Sequence, residues 1–199
     1  MQPFASQTEY ENEQFKKITH EGDQIRQREF YDCVFSHCSL RETGFNHCKF
    51  TDCIFEDCDL SLIGFTGSSL NDIIFRRCQM IGVNWALVTW SQFQSESPVR
   101  FDECNLDFAT FIGLSLRKLR MTGCSAKEVE FAEADLSGAD FSGTDLAQSR
   151  FRHTNLTQAN FVGAANYTID IATSNIAKAK FSLPEALSLL YGLDIVLVE

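Results

Sequence analysis

The sequence has little proline and lacks the segments that direct a chain to a membrane. It contains only 3 prolines in 199 residues. Its first ten residues are polar and acidic, without the basic start and apolar middle of a signal peptide. No apolar run approaches the ~18 residues that a bilayer span requires. We therefore expect a cytoplasmic protein with no membrane partner, whose 8 cysteines are reduced.

Sequence motifs of catalysis and of metal binding are also absent. No nucleotide-binding loop, nucleophilic serine motif or zinc-hydrolase motif occurs. No two cysteines are closer than five residues, whereas structural zinc sites favour C-x2-C pairs. We therefore expect no enzyme, no metal and no cofactor. The net charge of -10 favours a basic partner and disfavours direct binding of nucleic acid.

What the sequence does have is a repeat of five residues. Every fifth residue is apolar from Ile25 to Trp90 and again from Phe101 to Phe161, and 21 of these 27 centres are Phe or Leu. Tyr10 extends the first series towards the N-terminus, and His20 interrupts it. All 8 cysteines occupy the position two residues before a centre, and the same position holds Ala109, Ala134, Ala139, Thr144, Ser149, Thr154, Ala159 and Ala164. This position is therefore a slot for small residues.

A period of five fits neither the 3.6 residues of a helix nor the two of a strand. Five residues per side, with one large and one small residue facing inward, predict a coil with four sides. Such a coil has about 20 residues per turn, and its parallel strands stack at ~4.8 Å. We predict an all-β protein: a right-handed quadrilateral parallel β-helix of about seven turns, ~33 Å long.

The repeat divides the chain into three parts, with one interruption. We predict an N-terminal tail over 1–9, the β-helix over 10–165 and a C-terminal cap over 166–199. The interruption falls near 91–98, and its offset is either one residue or about six. A polar segment here is either a tolerated insertion at a surface turn or a binding loop on a rigid scaffold. The candidate loop residues are Gln92, Phe93 and Glu96.

The C-terminal segment is apolar and begins with a helix signal. Ser182 and Glu185 have the spacing of a capping box, Gly192 is a candidate stop, and the residues after it alternate like a short strand. A tail this apolar is expected to cap the last turn and to pair with a second copy. The predicted cap and dimer residues are Leu183, Leu187, Leu190, Leu193, Ile195 and Leu197.

Acidic residues are the candidates for binding a partner. Asp32, Asp52 and Asp72 are twenty apart, so they should form one column, with Glu56 and Asp57 on an adjoining side. Stacked aspartates repel one another, which favours a functional role. Alternatively, Asp suits corners because its side chain bonds to local backbone. A second acidic region contains Glu130, Glu133, Asp135, Asp140 and Asp145.

Two adjacent stretches carry a family resemblance. Ala134–Gly138 and Ala139–Gly143 resemble the A(D/N)LXX repeat of the pentapeptide-repeat proteins. Met80–Trp85 and Phe181–Ala186 are similar to a subgroup that protects type II topoisomerases, which includes quinolone-resistance (Qnr) and albicidin-immunity proteins. The resemblance implies a dimeric mimic of DNA that binds DNA gyrase or topoisomerase IV and counters inhibitors. The alternative is a generic scaffold for another protein partner. Several Qnr members carry two loops, whereas this chain has one short interruption.

Overall fold

The computed structural model describes residues 4, 6–90, 97–193 and 195, and these form a rod of stacked four-sided turns. Parallel pairing joins residues twenty apart, as Phe30 with Phe50 and Phe50 with Leu70. The predicted parallel β-helix is confirmed. It has about eight turns instead of seven, because pairing continues as far as Phe181. The backbone therefore keeps the coil beyond the boundary expected at residue 165.

The described residues form fourteen short strands and two 3-10 helices. Each strand is short because a side of the coil holds only five residues before the next corner. The strands are β1 Glu9–Glu11, β2 Gln14–Lys16, β3 Gln24–Arg26, β4 Glu29–Tyr31, β5 Val34–Ser36, β6 Gly44–Asn46, β7 Lys49–Thr51, β8 Ile54–Glu56, β9 Ser69–Asn71, β10 Ile73–Arg76, β11 Val99–Asp102, β12 Arg120–Thr122, β13 Asn160–Phe161 and β14 Lys180–Phe181. The 3-10 helices are Trp85–Leu87 and Glu185–Leu193.

The four sides are numbered in chain order. Side 1 begins with β1, β4, β7 and β9, and side 2 stacks β2, β5, β8, β10, β11 and β12, followed by β13 and β14. Side 3 is joined by isolated bridges from Thr19 to Ala165, and side 4 begins with β3 and β6. A corner takes the numbers of the two sides that it joins, so corner 1–2 lies between side 1 and side 2.

Stacked aromatic rings fill the centre of the rod. On side 2 the ring of Phe55 lies 4.4 Å from that of Phe35 and 5.1 Å from that of Phe75, with the ring planes within 20°. Phe75 stacks in turn on Phe101 at 5.3 Å. Burying one such side chain contributes about 1.5–3 kcal/mol. The Phe and Leu repeat of the sequence is thus the column that holds the turns together.

The slot two residues before each centre often takes a thiol or a hydroxyl, because a backbone carbonyl lies opposite it, although Ile63, Val83 and Leu119 are also buried there. The Sγ of Cys78 donates to the carbonyl of Phe55 at 3.4 Å, and the Oγ1 of Thr144 donates to that of Met121 at 2.6 Å. Both side chains are buried. A thiol or a hydroxyl therefore fits this slot and satisfies a carbonyl of the preceding turn.

The residue two after each centre makes the corner, and it has a left-handed backbone. Its φ is positive at the described corners from Asn12, at 55°, to Gly163, at 72°, except at Leu87, which lies in a 3-10 helix. Glycine adopts this conformation without strain, and Asp, Asn and His tolerate it better than other residues. Eight glycines share this position, at 22, 67, 82, 113, 123, 138, 143 and 163. The recurrence of glycine at this position is the signal in the sequence for a left-handed corner.

Both ends of the rod are covered by the chain itself. Phe4 is 3% exposed and lies with its ring 5.3 Å from that of Phe15, over the first turn. At the other end, Ser182 and Glu185 do not form the predicted capping box. The Oγ of Ser182 accepts from the amide of Gly163, and Glu185 accepts from the amide of Asn166. These side chains cap the last turn of the coil because its amides have no further turn to bond.

The C-terminal helix also differs from the sequence pattern. It is a 3-10 helix that runs through Gly192 to Leu193, so Gly192 does not end it, and Leu193 belongs to the helix rather than to a strand. The remainder of the predicted strand, including Leu197, lies outside the described residues, apart from Ile195. Within the described part of the chain, no helix is long and apolar enough to cross a membrane.

Candidate functional site

The three aspartates spaced by twenty stand in one column at corner 1–2. The amide of Asp32 donates to the carbonyl of Thr51 at 3.1 Å, and the amide of Asp52 donates to that of Asn71 at 3.0 Å, which fixes the stacking. All three side chains are exposed, and their φ angles lie between 52° and 54°. Neighbouring turns stack at ~4.8 Å, so three negative charges stand close together in solvent. We call Asp32, Asp52 and Asp72 the aspartate column.

The interruption leaves the rod at the same corner. Pairs that span it, such as Phe75 with Phe101, are twenty-six residues apart, whereas pairs before and after it are twenty apart. The insertion is therefore six residues, which decides between the two offsets that the sequence left open. The amide of Thr89 donates to the carbonyl of Ser68, which places Trp90 on side 1, and Phe101 lies on side 2. The extra residues depart from corner 1–2, next to the aspartate column.

The candidate loop residues Gln92, Phe93 and Glu96 lie outside the described residues. The chain rejoins the coil at Ser97, which is 8% exposed. The carbonyl of Pro98 then accepts from the amide of Ile73 at 2.9 Å. Both ends of the insertion are thus fixed to the rod.

Corner 1–2 changes sign beyond the insertion. Arg100 and Arg120 lie in register at the start of side 2, and Lys118 takes the corner position that the aspartates hold earlier. All three side chains are exposed. Among the described residues, neither arginine forms an ion pair. We call Arg100, Lys118 and Arg120 the basic cluster. The corner therefore carries negative charge before the insertion and positive charge after it.

Glu56 and Asp57 lie on the adjoining side, but an arginine of the next turn binds both. The Nε of Arg77 donates to Asp57 at 2.8 Å, and its Nη2 donates to Glu56 at 2.9 Å. This hydrogen bond to Arg77 holds the pKa of Asp57 below its usual value. These two acids therefore present less negative charge to a partner than the aspartate column does.

The second acidic region does not form one surface. Successive residues five apart occupy successive sides, so Glu130, Asp135, Asp140 and Asp145 lie on sides 4, 1, 2 and 3. Cations of neighbouring turns pair with three of them. Arg150 lies 3.3 Å from Glu130, Arg117 2.7 Å from Asp135 and Lys127 3.2 Å from Asp145. Glu133 is exposed at corner 4–1 and makes no ion pair with another described residue.

The aspartates of this region also build the backbone. The carboxylate of Asp140 accepts from the amide of Ser142 at 3.0 Å and from the Nδ2 of Asn160 at 2.9 Å. Partial burial opposes ionisation of Asp135, yet hydrogen bonds from Arg117 and Ser137 outweigh it and lower the pKa of that carboxyl. Asp145 accepts from the amide of Ala147 in the same way, so these contacts explain the three aspartates of the second region through folding, in agreement with the alternative for aspartates that bond to local backbone.

Comparison with known proteins places this coil in a family. A model of the pentapeptide repeat region matches residues 28–111, and a model of eight pentapeptide repeats matches 104–143 and 134–165. This chain belongs to the pentapeptide-repeat family. A comparison with curated proteins found no match. The sequence resemblance to the family is thus confirmed over most of the rod.

Several solved structures are similar in fold to this pentapeptide-repeat protein. One form of QnrB1, a plasmid-mediated fluoroquinolone resistance protein, is 22% identical with a TM-score of 0.55, over 96% of this chain and 99% of that one. Another form is 21% identical with a TM-score of 0.59, over 93% and 100%. HetL, from the cyanobacterium Nostoc, is 14% identical with a TM-score of 0.46, over 88% and 87%. At these identities the likeness concerns the fold alone.

The cysteines of this repeat protein are packed inside the rod. All eight are free thiols with at most 3% exposure, and five of them stack along corner 2–3, at positions 38, 58, 78, 104 and 124. Hydrogen bonding to Cys104 and burial raise the pKa of Cys78 to about 12. Among the described residues no group of His, Cys, Asp or Glu is arranged to hold a metal ion. The buried thiols therefore serve as small packing residues of the core.

Proposed function

We propose that this protein binds a type II topoisomerase, DNA gyrase or topoisomerase IV, and protects it from inhibitors without catalysing a reaction. The observation that carries the proposal is the aspartate column beside the insertion, both at corner 1–2. Fluoroquinolone resistance is what the name of QnrB1 states for that protein, and the shared fold supports the same class of role here. The column supplies charge, and the insertion supplies a segment that can act on the inhibited enzyme.

The proposed mechanism is mimicry of DNA. Asp32, Asp52 and Asp72 present repeated negative charge along a rod, as a duplex presents its phosphates. A basic DNA-binding surface attracts such an edge over about 10 Å at moderate ionic strength. The fold does not need these charges, because Asp32 and Asp52 form no ion pair or side-chain hydrogen bond with the described residues. Binding should weaken steeply as salt is added, since exposed charges are screened.

A homodimer through the C-terminal end belongs to this proposal. Leu183 is 77% exposed, Leu187 45%, Leu193 44% and Ile195 52%, whereas Leu190 is half-buried. Exposed apolar side chains grouped at one end of a rod are typical of an interface. Joining two rods at these ends would place the two aspartate columns on the outer arms and double the length of the mimic. Leu183→Glu with Leu187→Glu should shift the protein to a monomer in sedimentation, and a dimer that persists would contradict this part.

The test is a titration of the purified protein into a gyrase supercoiling assay, with and without a gyrase poison. Wild type should inhibit at high protein and rescue the poisoned enzyme at low protein. The variant Asp32→Asn, Asp52→Asn, Asp72→Asn should lose at least ~10-fold in potency, because charge steers the encounter. Asparagine keeps the left-handed corner. The matched control is Glu42→Gln, Glu103→Gln, Glu128→Gln, which removes three charges at left-handed positions of other corners and should change potency little.

A deletion separates binding from protection. Removing 91–96 leaves Trp90 and Phe101 five residues apart, which is the spacing of the uninterrupted repeat. The coil should therefore fold, and the protein should still inhibit gyrase but no longer rescue the poisoned enzyme. Rescue that survives the deletion would remove the insertion from the mechanism.

The second candidate is a scaffold for another protein, and the ion pairs favour it. Arg77, Arg117, Arg150 and Lys127 pair with five of the acids predicted to bind the partner. The positive part of corner 1–2 also interrupts a continuous acidic edge. If neither gyrase nor topoisomerase IV responds to wild type under any condition, the scaffold is the function to pursue. Equal loss of potency in the column variant and in its control would likewise reject mimicry by this corner.

A further inference from the structure

Two residues at the left-handed corners are chemically out of place. The described non-glycine residues with positive φ are polar or charged except for Leu62 and Phe108, with φ of 58° and 63°. Both are more than half exposed, at 52% and 55%. A left-handed backbone is unfavourable for such residues, and an apolar side chain that is exposed to solvent gains no hydrophobic stabilisation to offset it. Folding alone does not explain why these two positions are apolar.

These two residues lie on one corner, two turns apart. The amide of Leu62 donates to the carbonyl of Ile81 at 2.9 Å, and that of Gly82 donates to the carbonyl of Asp107, so Leu62, Gly82 and Phe108 stack along corner 3–4. A Cβ at Gly82 would lie 2.7 Å from the Cδ2 of Leu62. The glycine therefore leaves room for the leucine to lie along the corner.

Side 4 continues this surface without charge. Leu87 is 46% exposed and Ile112 45%, and both belong to the same three turns. Isolated apolar residues are ordinary on a surface, but a contiguous group marks an interaction site. In these turns the twelve outward positions of side 4 and its two corners hold no charged residue, although 22% of the chain is charged. We call them the apolar patch: Leu62, Gly64, Thr66, Gly67, Gly82, Asn84, Ala86, Leu87, Phe108, Thr110, Ile112 and Gly113.

The main-chain amides and carbonyls beneath the apolar patch form hydrogen bonds within the coil. The amide of Trp85 donates to the carbonyl of Thr110 at 3.0 Å, and the amide of Thr110 donates to that of Val83 at 3.0 Å. An extended segment binds a sheet by pairing with free main-chain groups. Because this face presents side chains instead, a partner must pack against it with side chains of its own, as an amphipathic helix does.

The size of the patch fits one helix. Three turns of the coil span ~14 Å, which is the length of about nine helical residues. A stable dimer needs about 800 Å² from each partner, far more than one side of three turns offers. A second copy of this chain is therefore a poor occupant.

Acids border one end of the patch. Glu128 at corner 3–4 and Glu133 at corner 4–1 follow it on the next turn, and both are exposed. Neither makes an ion pair with a described residue, whereas Glu130 between them is held by Arg150 at 3.3 Å. We propose that the apolar patch binds an amphipathic helix of a partner protein, with its apolar face on Leu62 and Phe108 and basic residues beside Glu128 and Glu133. Leu62 and Phe108 lie on corner 3–4, diagonally across the rod from corner 1–2, so this interaction is independent of the proposed function.

The first experiment uses a synthetic amphipathic helix as the probe, with leucines at i, i+3, i+4 and i+7 and lysines at one end. It should bind the full protein, and Phe108→Ser should weaken binding at least ~10-fold, as expected for a buried aromatic anchor. Glu128→Gln with Glu133→Gln should weaken it a few-fold and reduce its salt dependence. The control Val162→Ser alters another exposed apolar residue, 47% exposed on side 2, and should change nothing. Thermal unfolding of each variant checks that it is folded.

The second experiment identifies the natural occupant. A photo-cross-linking phenylalanine analogue replaces Phe108 in the full chain inside cells, and the attached peptide is sequenced. A segment with apolar residues three and four apart and Lys or Arg at one end supports the proposal, provided that its synthetic copy loses affinity for Phe108→Ser. Cross-links to a second copy, to an extended or acidic segment, or to nothing overturn it. Equal binding of the probe to wild type and Phe108→Ser overturns it as well.

Discussion

The turns before the insertion and the turns after it build the same coil with different corners. Before it, cysteine fills 6 of the 14 small slots, and aspartates stand exposed at corner 1–2. After it, Ala, Ser or Thr fills 7 of the 13 slots, and Asp or Asn precedes 6 of the 13 centres, against 2 of 14 before it. Asp140 bonds to the amide of Ser142, whereas Asp52 makes no side-chain hydrogen bond among the described residues. The comparison shows that an aspartate directly before a centre bonds to the backbone, as Asp59 and Asp140 do, whereas the aspartates of the aspartate column, two residues after a centre, stay exposed at the corner.

The largest expected effect is a loss of stability, and it tests whether the turns before and after the insertion share one aromatic core. Phe55→Ala and Phe141→Ala should each lower the free energy of unfolding by about 3–5 kcal/mol, because both rings are fully buried in the same kind of stack. Denaturant unfolding followed by Trp fluorescence and by circular dichroism measures this. A large effect from only one of the two would show that the halves do not share one core.

Substitutions in the small slot should lower the free energy of unfolding by a smaller amount. Thr144→Ala should lower the free energy of unfolding by about 1–2 kcal/mol, because it removes a buried hydrogen bond to Met121. Cys78→Ala should cost about 1 kcal/mol, since it leaves a gap the size of one atom. Chemical denaturation gives both values. If the cysteine variant costs more than the threonine variant, thiol contacts matter more than this geometry implies.

Aspartates that bond to the backbone and aspartates of the aspartate column should differ in how much they contribute to the free energy of unfolding. Asp140→Ala should cost about 1 kcal/mol through its lost backbone hydrogen bond, while Asp52→Asn, which suits the left-handed backbone, should stay within about 0.5 kcal/mol. The same unfolding experiment compares them. A loss at Asp52 equal to that at Asp140 would mean that the column also serves the fold.

The smallest expected effect concerns the dependence of stability on pH. Hydrogen bonds outweigh partial burial and lower the pKa of Asp135 and Asp145, so the folded state holds their protons less tightly than the unfolded chain does. Their contribution is complete above the ordinary carboxyl pKa near 4 and is lost as pH falls through the lowered values. Asp135→Asn with Asp145→Asn should flatten the dependence of stability on pH below about 4. An unchanged acid slope would contradict it.

The repeat predicted the core well, because a period of five with one large and one small inward residue admits one kind of coil. Phe55 and Cys78 lie where the pattern put them. The pairing of Arg77 with Asp57 follows from the spacing of twenty, but that of Arg117 with Asp135 does not, since these residues are eighteen apart and occupy different positions of the repeat. The register itself was ambiguous at the insertion, because polar residues around Pro98 carry no periodic signal. Ser182 and Glu185 were misread because the amides that they cap lie on another turn.

The six-residue insertion does not shift the register of the coil. On either side of it, residues twenty apart occupy equivalent positions of neighbouring turns. Losing twenty residues would shorten the rod by one layer and return each side to the same orientation. Losing five would rotate everything downstream by a quarter turn, separating the aspartate column from whatever follows it. The length of the molecule and the arrangement of its faces can therefore change independently, provided that the chain changes by whole turns.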